Sequence, residues 1–417
     1  MADTIAAVSI GIGTMMRRLK LSFSMAVVLA ALLTAAPALA ASCRTNASFD
    51  RWLDEFRREA TAAGISQRTL AAAAPGMVYD QRIVNIDRGQ RVFNQTFIEF
   101  SSRMVAAYRI QRGGQLMQQH GAVFARANQQ FGVPAAVITA FWGLESDFGG
   151  NLGKEKILPA LTSLAYDCRR AEMFRGHLLS ALQLIDRGDL QPEEMIGSWA
   201  GEIGQTQMMA TEYNKWAVDY DGDGHRNLVR SVPDVIGLTA NYLQSLGWRR
   251  GEPWLTEVRV PANMPWDQAD LTIQHPRSQW ASWGVTLSDG RPLSADELPA
   301  SLVLPMGRFG PAFLAYENFQ VYLKWNQSLV YSLTAAYYAT RLAGAPPMHK
   351  GNGTPVALSF EQAKELQQLL RRYGYSGEID GKLGLSTRAA VKAAQMRLGL
   401  PADSWPTADL LARLHGG

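Results

Sequence analysis

Glu145 lies near the end of a predicted helix, where its carboxyl group could donate a proton. Gly132-Val-Pro134 places proline at a typical helix start, and Gly149-Gly150 is expected to end the helix. Phe141 lies one turn before Glu145, and Trp142 is its neighbour in helical projection. Aromatic burial and the negative end of the helix dipole both raise the pKa of a carboxyl group. A carboxyl group that stays protonated near neutral pH suits the general acid of glycosidic cleavage, although a solvated surface glutamate fits the same pattern.

A second carboxylate would be needed for an ordinary glycosidase. Such enzymes place two carboxyl groups about 5 Å apart when they retain the anomeric configuration, and more than about 6.5 Å apart when they invert it. The best candidate is Glu202, and Asp147 and Glu155 are less convincing. The residues alone leave open whether a second carboxylate takes part.

An acidic segment reproduces the start of an EF-hand calcium loop. Asp219, Asp221 and Asp223 occupy positions 1, 3 and 5 of that loop, and Gly224 occupies position 6. His225 would supply a backbone carbonyl at position 7, but position 12 is an arginine rather than the usual glutamate. The segment predicts a structural Ca²⁺ or Na⁺ site that takes no part in catalysis. The alternative is a polar turn in which the aspartates cap backbone amides.

The first forty residues have the pattern of an export signal. A basic cluster at 17–20 precedes an apolar stretch at 25–33, and Ala38-Leu39-Ala40 is a small-x-small cleavage signature. The apolar stretch is short for the ~20 residues that span a bilayer. Residues 1–40 are therefore predicted to be a signal peptide that directs the chain to the periplasm and is its only membrane-associated part. An uncleaved anchor and a lipoprotein acylated at Cys43 are the alternatives.

Cys43 and Cys168 are the two cysteines of the chain, which excludes a tetrathiolate zinc site and a disulfide-dense scaffold. In an oxidising compartment, two thiols are more often bonded than free. We therefore predict a Cys43–Cys168 disulfide that ties the mature N-terminus to the central region. A buried, unbonded Cys168 is the alternative.

The composition is that of a globular protein. Of the 417 residues, 47% are hydrophobic, 19% are charged and 9% are aromatic, which argues against wholesale disorder. The formal net charge is +4, and residues 1–40 hold three basic residues and one acidic residue, so that the remainder carries +2. A chain with so small a positive charge is not expected to bind nucleic acid.

The spacing of apolar residues predicts a mainly α-helical protein with a few short strands. Helical periodicity runs through 46–130, the alternating run Thr256–Val260 predicts a strand, and a long helical stretch is expected at about 316–342. Residues 344–357 have the Pro and Gly content of a linker, and a compact helical module follows at 358–417.

Several short motifs, each modest alone, together resemble the B-type lytic murein transglycosylases, the lysozyme-like enzymes of glycoside hydrolase family 103. They occur in the order and spacing of that family and span roughly 45–343. The matching segments are Phe131–Pro134, Gly143–Ser146, Cys168–Phe174, Gly197–Gly201, Gly204–Met208, Asp219–His225, Ile236–Tyr242 and Trp325–Ser328. The resemblance implies a lysozyme-like catalytic domain at 43–343 with a helical N-terminal part.

By this resemblance, Glu145 is the single catalytic acid/base, and the substrate itself completes the reaction. The other residues that match the family's cleft are polar, basic or aromatic side chains, namely Ser198, Gln207, Tyr242, Asn326, Tyr331, Arg169 and Arg170. Without the resemblance, Ser198 and Gln207 would be interpreted as loop residues that satisfy backbone groups, and Tyr242 as a core residue. Likewise, Asn326 would be a helix-end residue, and the two arginines a solvated turn.

The resemblance also bears on the acidic loop and on two departures from the family. It implies a lengthened loop in which Asp234 closes the cation site. The family's usual Leu/Phe-Met-Pro is Met208-Met209-Ala210 here, and Trp325 stands where tyrosine is common. These departures concern rate and subsite preference rather than chemistry.

The C-terminal module at 358–417 resembles a small three-helix peptidoglycan-binding domain. The likeness lies in Tyr373–Gly377, in Asp380–Gly384 and in the Ser/Thr pair before the helix that contains Val391. The resemblance implies a module that binds the cell wall, and a packing appendage without a ligand is the alternative.

The resemblance therefore predicts a lytic murein transglycosylase that cleaves the β-1,4 bond between N-acetylmuramic acid and N-acetylglucosamine and leaves 1,6-anhydromuramic ends. Peptidoglycan strands are the expected partner, and no cofactor is expected for catalysis. A hydrolytic muramidase and a non-catalytic wall-binding protein are the alternatives. Candidates for aromatic residues of the groove are Trp142, Trp199, Tyr242 and Tyr331.

Overall fold

A computed structural model describes residues 43–44, 47–89, 95–353 and 355–416. This part of the chain is mainly helical with a few short strands, as predicted. The helices are α1 (Phe49–Ala62), α2 (Gln67–Ala73), α3 (Gln81–Arg88), α4 (Phe97–Met104), α5 (Ala107–Gln119), α6 (Gly121–Phe131), α7 (Ala135–Ser146), α8 (Ile157–Tyr166), α9 (Ala171–Asp186), α10 (Ala210–Trp216), α11 (Val232–Ser245), α12 (Arg277–Ser282), α13 (Glu317–Trp325), α14 (Leu329–Leu342), α15 (Phe360–Leu369), α16 (Leu385–Arg397) and α17 (Ala408–Gly416). The strands are β1 (Glu155–Lys156), β2 (Ile196–Gly197), β3 (Leu255–Arg259), β4 (His275–Pro276), β5 (Thr286–Leu287), β6 (Pro299–Val303) and β7 (Ala312–Ala315).

The predicted signal peptide at 1–40 lies outside the described residues. Within the described ranges, no helix combines the length and the apolar character that a bilayer crossing needs.

Side-chain caps define the N-terminal helices. Ser48 accepts a hydrogen bond from the backbone N–H of Arg51 at the start of α1, and Ser66 accepts one from Thr69 at the start of α2. The apolar stripe of α1, which includes the fully buried Trp52, packs with α8 and α9 into one hydrophobic core. This core supports one side of the region that holds Glu145.

Helix α7 runs through the protein interior and packs along α14. Ten of its twelve residues are buried, and Ala135 and Glu145 are the two that are not. Gly143 permits the close approach to α14, because a Cβ atom there would lie 2.9 Å from the ring of Tyr338. A helix that is buried all round is held by its neighbours on every side, so Glu145 stands on a rigid element.

Helix α7 ends at Ser146, three residues before the predicted stop at Gly149. Asp147 and Phe148 adopt left-handed backbone conformations, with φ of 53° and 60°. The side chain of Arg109 on α5 lies 2.9 Å from the Asp147 carboxylate and helps to hold this strained turn. The expected position of Glu145 in the last helical turn is confirmed. The helix ends before the two glycines, next to Asp147, which forms an ion pair with Arg109 of another helix.

The strands β3 to β7 form one antiparallel sheet in the order β4-β6-β7-β3-β5. The run predicted as a strand at Thr256–Val260 corresponds to β3. Its neighbour β7 places Ala315 opposite Leu255. The apolar side of the sheet packs on the fully buried Trp280 and forms a separate core.

The helical stretch predicted at about 316–342 is confirmed, and the structure divides it into α13 and α14. The side-chain oxygen of Asn326 accepts a hydrogen bond from the backbone N–H of Ser328 at 2.9 Å. The Ser328 hydroxyl in turn accepts one from the backbone N–H of Tyr331 at 3.3 Å. Asparagine and serine side chains compete for backbone N–H groups in this way and favour turns and helix starts over helix interiors. The turn brings Trp325 and Tyr331 onto one carboxyl group, as described below.

Helices α15, α16 and α17 form the three-helix C-terminal module with its own small core. The buried guanidinium group of Arg388 on α16 donates hydrogen bonds to the carbonyls of Leu304 and Pro305, next to β6. Burial lowers the pKa of Arg388 to about 10. Lys392, one turn later, pairs with Asp270 at 3.0 Å. The module therefore docks on the sheet region through charged contacts.

The predicted linker at 344–357 has no regular structure in its described part but lies against the folded protein. The backbone N–H of His349 donates to the Glu257 carboxylate at 2.7 Å, and that of Met348 donates to the hydroxyl of Tyr337 at 3.2 Å. The segment is thus held by hydrogen bonds to β3 and α14.

Candidate active site

Two side chains from the α13–α14 turn converge on one oxygen of Glu145. The indole N–H of Trp325 donates to Glu145 Oε1 at 2.9 Å, and the hydroxyl of Tyr331 donates to the same oxygen. Among the described residues, none bonds to Oε2. The proton of the neutral acid therefore belongs on Oε2, the oxygen that remains available to a ligand.

The pKa of Glu145 is raised to about 7. Burial is the main cause, and the negative charge of Glu202 adds to it. The hydrogen bonds from Tyr331 and Trp325 act in the opposite direction, because they stabilise the carboxylate. A carboxyl group with this pKa is partly protonated at neutral pH and becomes a competent base once it has lost its proton, which suits an acid that must later act as a base.

Aromatic packing fixes the position of Trp325. Its ring stacks on Phe141 of α7 with centroids 4.2 Å apart. Phe141 also stacks on the fully buried Tyr322 of α13 at 5.0 Å. These stacked rings fix α7, which carries Glu145, relative to α13, which carries Trp325.

Sequence reasoning missed the residues that fasten the last turn of α7. The buried Ser146 donates to the carbonyl of Gln205 at 2.5 Å and accepts a hydrogen bond from the N–H of Gly149. The Gln205 side chain accepts a hydrogen bond from the indole N–H of Trp142 at 2.8 Å. Trp142 is buried in the core, so that its candidacy as a groove residue was wrong. The sequence hinted at these roles, because Ser146 directly follows Glu145 and Gln205 lies close to Gln207 in the chain.

The loop that follows β2 places Ser198 and Glu202 together. The Ser198 hydroxyl accepts hydrogen bonds from the backbone N–H groups of Ala200 and Glu202, at 3.1 and 3.3 Å. Burial raises the pKa of the Glu202 carboxyl, and a hydrogen bond with the Ser198 hydroxyl opposes this shift. Ser198 thus satisfies backbone groups in its loop, and its contact with substrate stays a prediction.

Gln207 occupies a left-handed backbone position, with φ of 48°. Its side-chain amide donates to the carbonyls of Leu152 and Gly204, at 3.2 and 2.9 Å. These bonds brace the loop against the chain that follows α7. A role for the remaining amide oxygen in binding sugar stays a prediction.

Tyr242 and Asn326 lie beside the Glu145 centre. The ring of Tyr242 on α11 is half-buried, 5.4 Å from the ring of Trp325. The ring packs against the hydrophobic core while part of it stays exposed, and its contact with substrate stays a prediction. Asn326 ends α13 and directs its side-chain oxygen to Ser328, which leaves the amide N–H₂ group without a partner among the described residues.

Arg169 and Arg170 both pair with the buried Asp87 of α3. Each guanidinium group is still partly exposed. These arginines follow Cys168, which forms a disulfide with Cys43, as the sequence predicted. They therefore have a structural task at the start of α9, and their contact with substrate stays a prediction.

Three of the five residues predicted for the cation site lie together. One carboxylate oxygen from each of Asp219, Asp221 and Asp223 is within 4.8 Å of the others, and all three residues are exposed. No arginine or lysine in the described ranges pairs with any of them. His225 donates its backbone N–H to Asp223 at 2.8 Å.

The carboxylate of Asp234 binds the backbone of the acidic loop and is not one of the three clustered carboxylates. It is fully buried at the start of α11. Its two oxygens accept hydrogen bonds from the backbone N–H groups of Tyr220 and Asn227, both at 2.6 Å. Asp234 thus closes the loop by binding its backbone, and a place among the ligands stays a prediction.

Comparison with known families gives two matches. The transglycosylase SLT domain family matches residues 48–340. A peptidoglycan binding domain family matches residues 361–414. The first match runs from α1 into α14, and the second lies within the C-terminal module.

Individual relatives agree with these matches. Membrane-bound lytic murein transglycosylase B of Escherichia coli (strain K12) is 32% identical over 243 residues, which is 58% of this chain and 65% of that protein. The crystal structure of SltB3 from Pseudomonas aeruginosa in complex with NAG-anhNAM-pentapeptide is 39% identical, with a TM-score of 0.81, and the match covers 88% of this chain and 99% of that one. A structure of SltB3 with NAG-NAM-pentapeptide matches equally.

A more distant solved structure is that of the Escherichia coli lytic transglycosylase Slt35 in complex with calcium. It is 26% identical, with a TM-score of 0.60, and the match covers 72% of this chain and 95% of that one.

Proposed function

The chain belongs to the transglycosylase SLT domain family, and on this premise we propose that it is a peptidoglycan lytic transglycosylase that cleaves the β-1,4 bond between N-acetylmuramic acid and N-acetylglucosamine. The observation that carries the proposal is the carboxyl group of Glu145, which has a pKa of about 7 and is held through Oε1 alone. The relative SltB3 is bound to NAG-NAM-pentapeptide in one structure and to NAG-anhNAM-pentapeptide in another. Those two ligands support a muramic acid substrate and an anhydro product for this chain.

In the first step, Glu145 donates its proton to the glycosidic oxygen. The bond from that oxygen to C1 of muramic acid breaks, N-acetylglucosamine leaves with a free hydroxyl, and the 2-acetamido oxygen supports the positive charge at C1. In the second step, the C6 hydroxyl of the same sugar bonds to C1 and its proton passes to the Glu145 carboxylate. The acid is regenerated, no water is consumed, and a 1,6-anhydro ring closes.

A single acid/base is sufficient for this sequence. Glu202 is near enough for its charge to raise the pKa of Glu145. In an inverting hydrolase, a second carboxylate activates water. In the proposed reaction the sugar supplies both the participating oxygen and the attacking hydroxyl, so Glu202 orients substrate or shapes the electrostatics of the site.

Mass analysis of the soluble products from purified sacculi tests this function. A lytic transglycosylase releases fragments with 1,6-anhydromuramic ends, which are lighter by one water than the reducing ends that a hydrolytic muramidase leaves. A non-catalytic wall-binding protein releases neither. Products that carry only reducing ends would show that the enzyme is a hydrolytic muramidase. If the folded protein released no fragments, the proposed activity would be excluded.

We expect kcat/KM to fall as the pH rises through about 7, because the free enzyme must hold the proton of Glu145. Tyr331→Phe removes a hydrogen bond that lowers this pKa, so the alkaline limb of the profile should move to higher pH. Glu202→Gln removes a charge that raises the pKa, so the limb should move to lower pH. Tyr337→Phe, on the same helix as Tyr331, is the control. Identical limbs in all four proteins would contradict the assignment of Glu145.

We also propose that the acidic loop binds one Ca²⁺ as a structural ion. The donor set fits, because hard oxygen ligands are what Ca²⁺ prefers and Asp219, Asp221 and Asp223 bring three carboxylates together. Within the described ranges, no lysine or arginine pairs with them. The His225 carbonyl is a further candidate ligand. The calcium complex of Slt35 supports the idea. Bound calcium would neutralise the loop beside α11 and take no part in the chemistry.

We expect Ca²⁺ to raise the melting temperature and a chelator to lower it. At 100 times its Kd, a ligand stabilises the folded state by about 2.7 kcal/mol. Asp221→Asn should abolish the response, whereas Asp409→Asn, an exposed aspartate of the C-terminal module, should retain it. Melting that is independent of calcium, together with no heat in calcium titration calorimetry, would remove the site.

Finally, we propose that residues 1–40 direct export to the periplasm and that the C-terminal module binds peptidoglycan. The Cys43–Cys168 disulfide supports export, because such bonds persist in oxidising compartments. The family match at 361–414 supports the role of the module.

A further inference from the structure

Three half-buried aromatic rings lead away from Glu145 across three helices. Trp325 of α13 donates to the Glu145 carboxylate, and its ring lies 5.4 Å from that of Tyr242 on α11. The Tyr242 ring lies 6.4 Å from that of Trp216, the last residue of α10. None of the three rings is fully buried, so they form a row of partly exposed aromatic surface that begins at the proposed acid.

The polar atoms of the two outer rings have no hydrogen-bond partner among the described residues. In the described part of the chain, nothing hydrogen-bonds to the hydroxyl of Tyr242 or to the indole N–H of Trp216. By contrast, the indoles of Trp248 and Trp254 both donate to protein oxygens, at 3.0 Å. Both side chains are only partly buried, and neither atom is one of the fully buried polar atoms that lack a partner, so solvent reaches both. The outer rings therefore offer two hydrogen-bonding atoms to a ligand.

A cation stands at the outer end of the row. The ammonium group of Lys215 lies 4.7 Å from the centre of the Trp216 ring, and the residue is exposed. No carboxylate in the described ranges pairs with this lysine. An aromatic ring next to an unpaired ammonium group can receive the face of a sugar and a negative charge together.

An acidic side chain borders the same surface. Glu212, on the helix of Trp216, is near enough to Tyr242 for its charge to help raise the pKa of that phenol. The hydroxyl of Thr211 donates to Glu212 at 2.6 Å and lies 2.9 Å from the ring of His177, so the carboxylate is held in place. It can accept hydrogen bonds from sugar hydroxyl or amide groups.

We propose that Tyr242, Trp216 and Lys215 form a subsite for the murein strand beyond the cleaved bond, in which the two rings carry a sugar and Lys215 pairs with a carboxylate on the substituent of a muramic acid. That carboxylate belongs to the peptide stem, or to the lactyl group where the peptide has been removed. The subsite rests on the proposed function, which supplies the glycan as ligand. It also gives Lys215 a role in selecting murein over chitin, because chitin lacks this substituent.

Calorimetric binding to the Glu145→Gln protein tests the subsite without turnover. The probes are eight-sugar murein strands with peptide stems, the same strands stripped of peptide, and a chito-oligosaccharide of equal length. Lys215→Gln in this background should weaken binding of a carboxylate-bearing strand about fivefold, and less at high salt, while binding of the chito-oligosaccharide stays within twofold. Trp216→Ala should weaken binding of all three about tenfold.

Arg103→Gln is the matched control, because the exposed guanidinium group of Arg103 lies 5.4 Å from the centre of the Phe100 ring on α4, outside both the proposed cleft and the C-terminal module. A loss confined to peptide-bearing strands assigns the ligand to the stem, and a loss confined to stripped strands assigns it to the lactyl group; either supports the subsite. Equal losses with Arg103→Gln, or no loss with Lys215→Gln, overturn it. If the parent protein binds only the chito-oligosaccharide, the murein function fails and the subsite fails with it.

Discussion

Glu145→Gln is expected to lower kcat on purified sacculi by about 10²–10⁴-fold, the range that a positioned general acid contributes. Glutamine keeps the size of the side chain and can still meet Trp325 and Tyr331, but it has no proton of suitable acidity for the glycosidic oxygen. The loss should lie in kcat more than in KM, because the variant keeps every contact that binds the glycan. Release of anhydro fragments measured by mass spectrometry checks the prediction.

The control for Glu145→Gln is Glu297→Gln, which changes an exposed carboxylate in the sheet region. Both variants should melt as wild type or higher, since removing the ionisable group of Glu145 relieves a carboxyl whose pKa is raised by burial. The direction of this change in stability follows from the difference in pKa between the folded and unfolded states. A pKa that is raised from 4.5 to about 7 on folding makes ionisation cost stability as the pH rises through that interval, and glutamine does not ionise. Wild-type turnover by a folded Glu145→Gln protein would exclude Glu145 as the acid.

The centre of the site was predictable from sequence because its determinants are local. The position of Glu145 in a last helical turn, one turn after Phe141, follows from residues within one helix. The direction of its pKa shift agrees with the expectation, and burial in the fold is its main cause. The strand near Thr256–Val260 is an equally local feature, and it is confirmed.

The parts that sequence reasoning missed depend on contacts between distant segments. The break between α13 and α14 has a local signal in Asn326, but the meeting of Trp325 and Tyr331 at Glu145 depends on how α7, α13 and α14 pack. The end of α7 depends on the pairing of Asp147 with Arg109, which no local pattern contains. The row from Trp325 to Trp216 joins three helices, so it exists only once the chain has folded.

Arg169 and Arg170 are a further example of residues whose partners could not be predicted from the sequence. A motif marks two adjacent arginines but cannot say which carboxylate they meet, and in the structure they share the buried Asp87. A second buried carboxylate, that of Asp167, pairs with Arg44 and Arg88. Four arginines thus surround two buried carboxylates next to the Cys43–Cys168 bond, and the disulfide belongs to this charged cluster.

We expect Cys43→Ser/Cys168→Ser to lower the free energy of unfolding by about 2–5 kcal/mol, the range for loss of a native disulfide. The bond joins residues 125 apart, so its removal restores much conformational freedom to the unfolded chain. It also frees Arg44, whose backbone N–H donates to Tyr166 at 2.9 Å and whose side chain pairs with Asp167. A buried carboxylate that loses a cationic partner destabilises the folded state further.

Denaturant unfolding of four samples checks this prediction: wild type and the double serine variant, each with and without a reductant. The reductant should destabilise the wild type to the level of the variant and leave the variant unchanged, because no other cysteine exists in the chain. Two thiols that react with an alkylating agent in the unfolded, unreduced wild type would contradict the bond. If the variant also loses activity at a temperature where it stays folded, the charged cluster must hold Arg169 and Arg170 in an arrangement that the cleft needs, and a purely stabilising disulfide would not give that result.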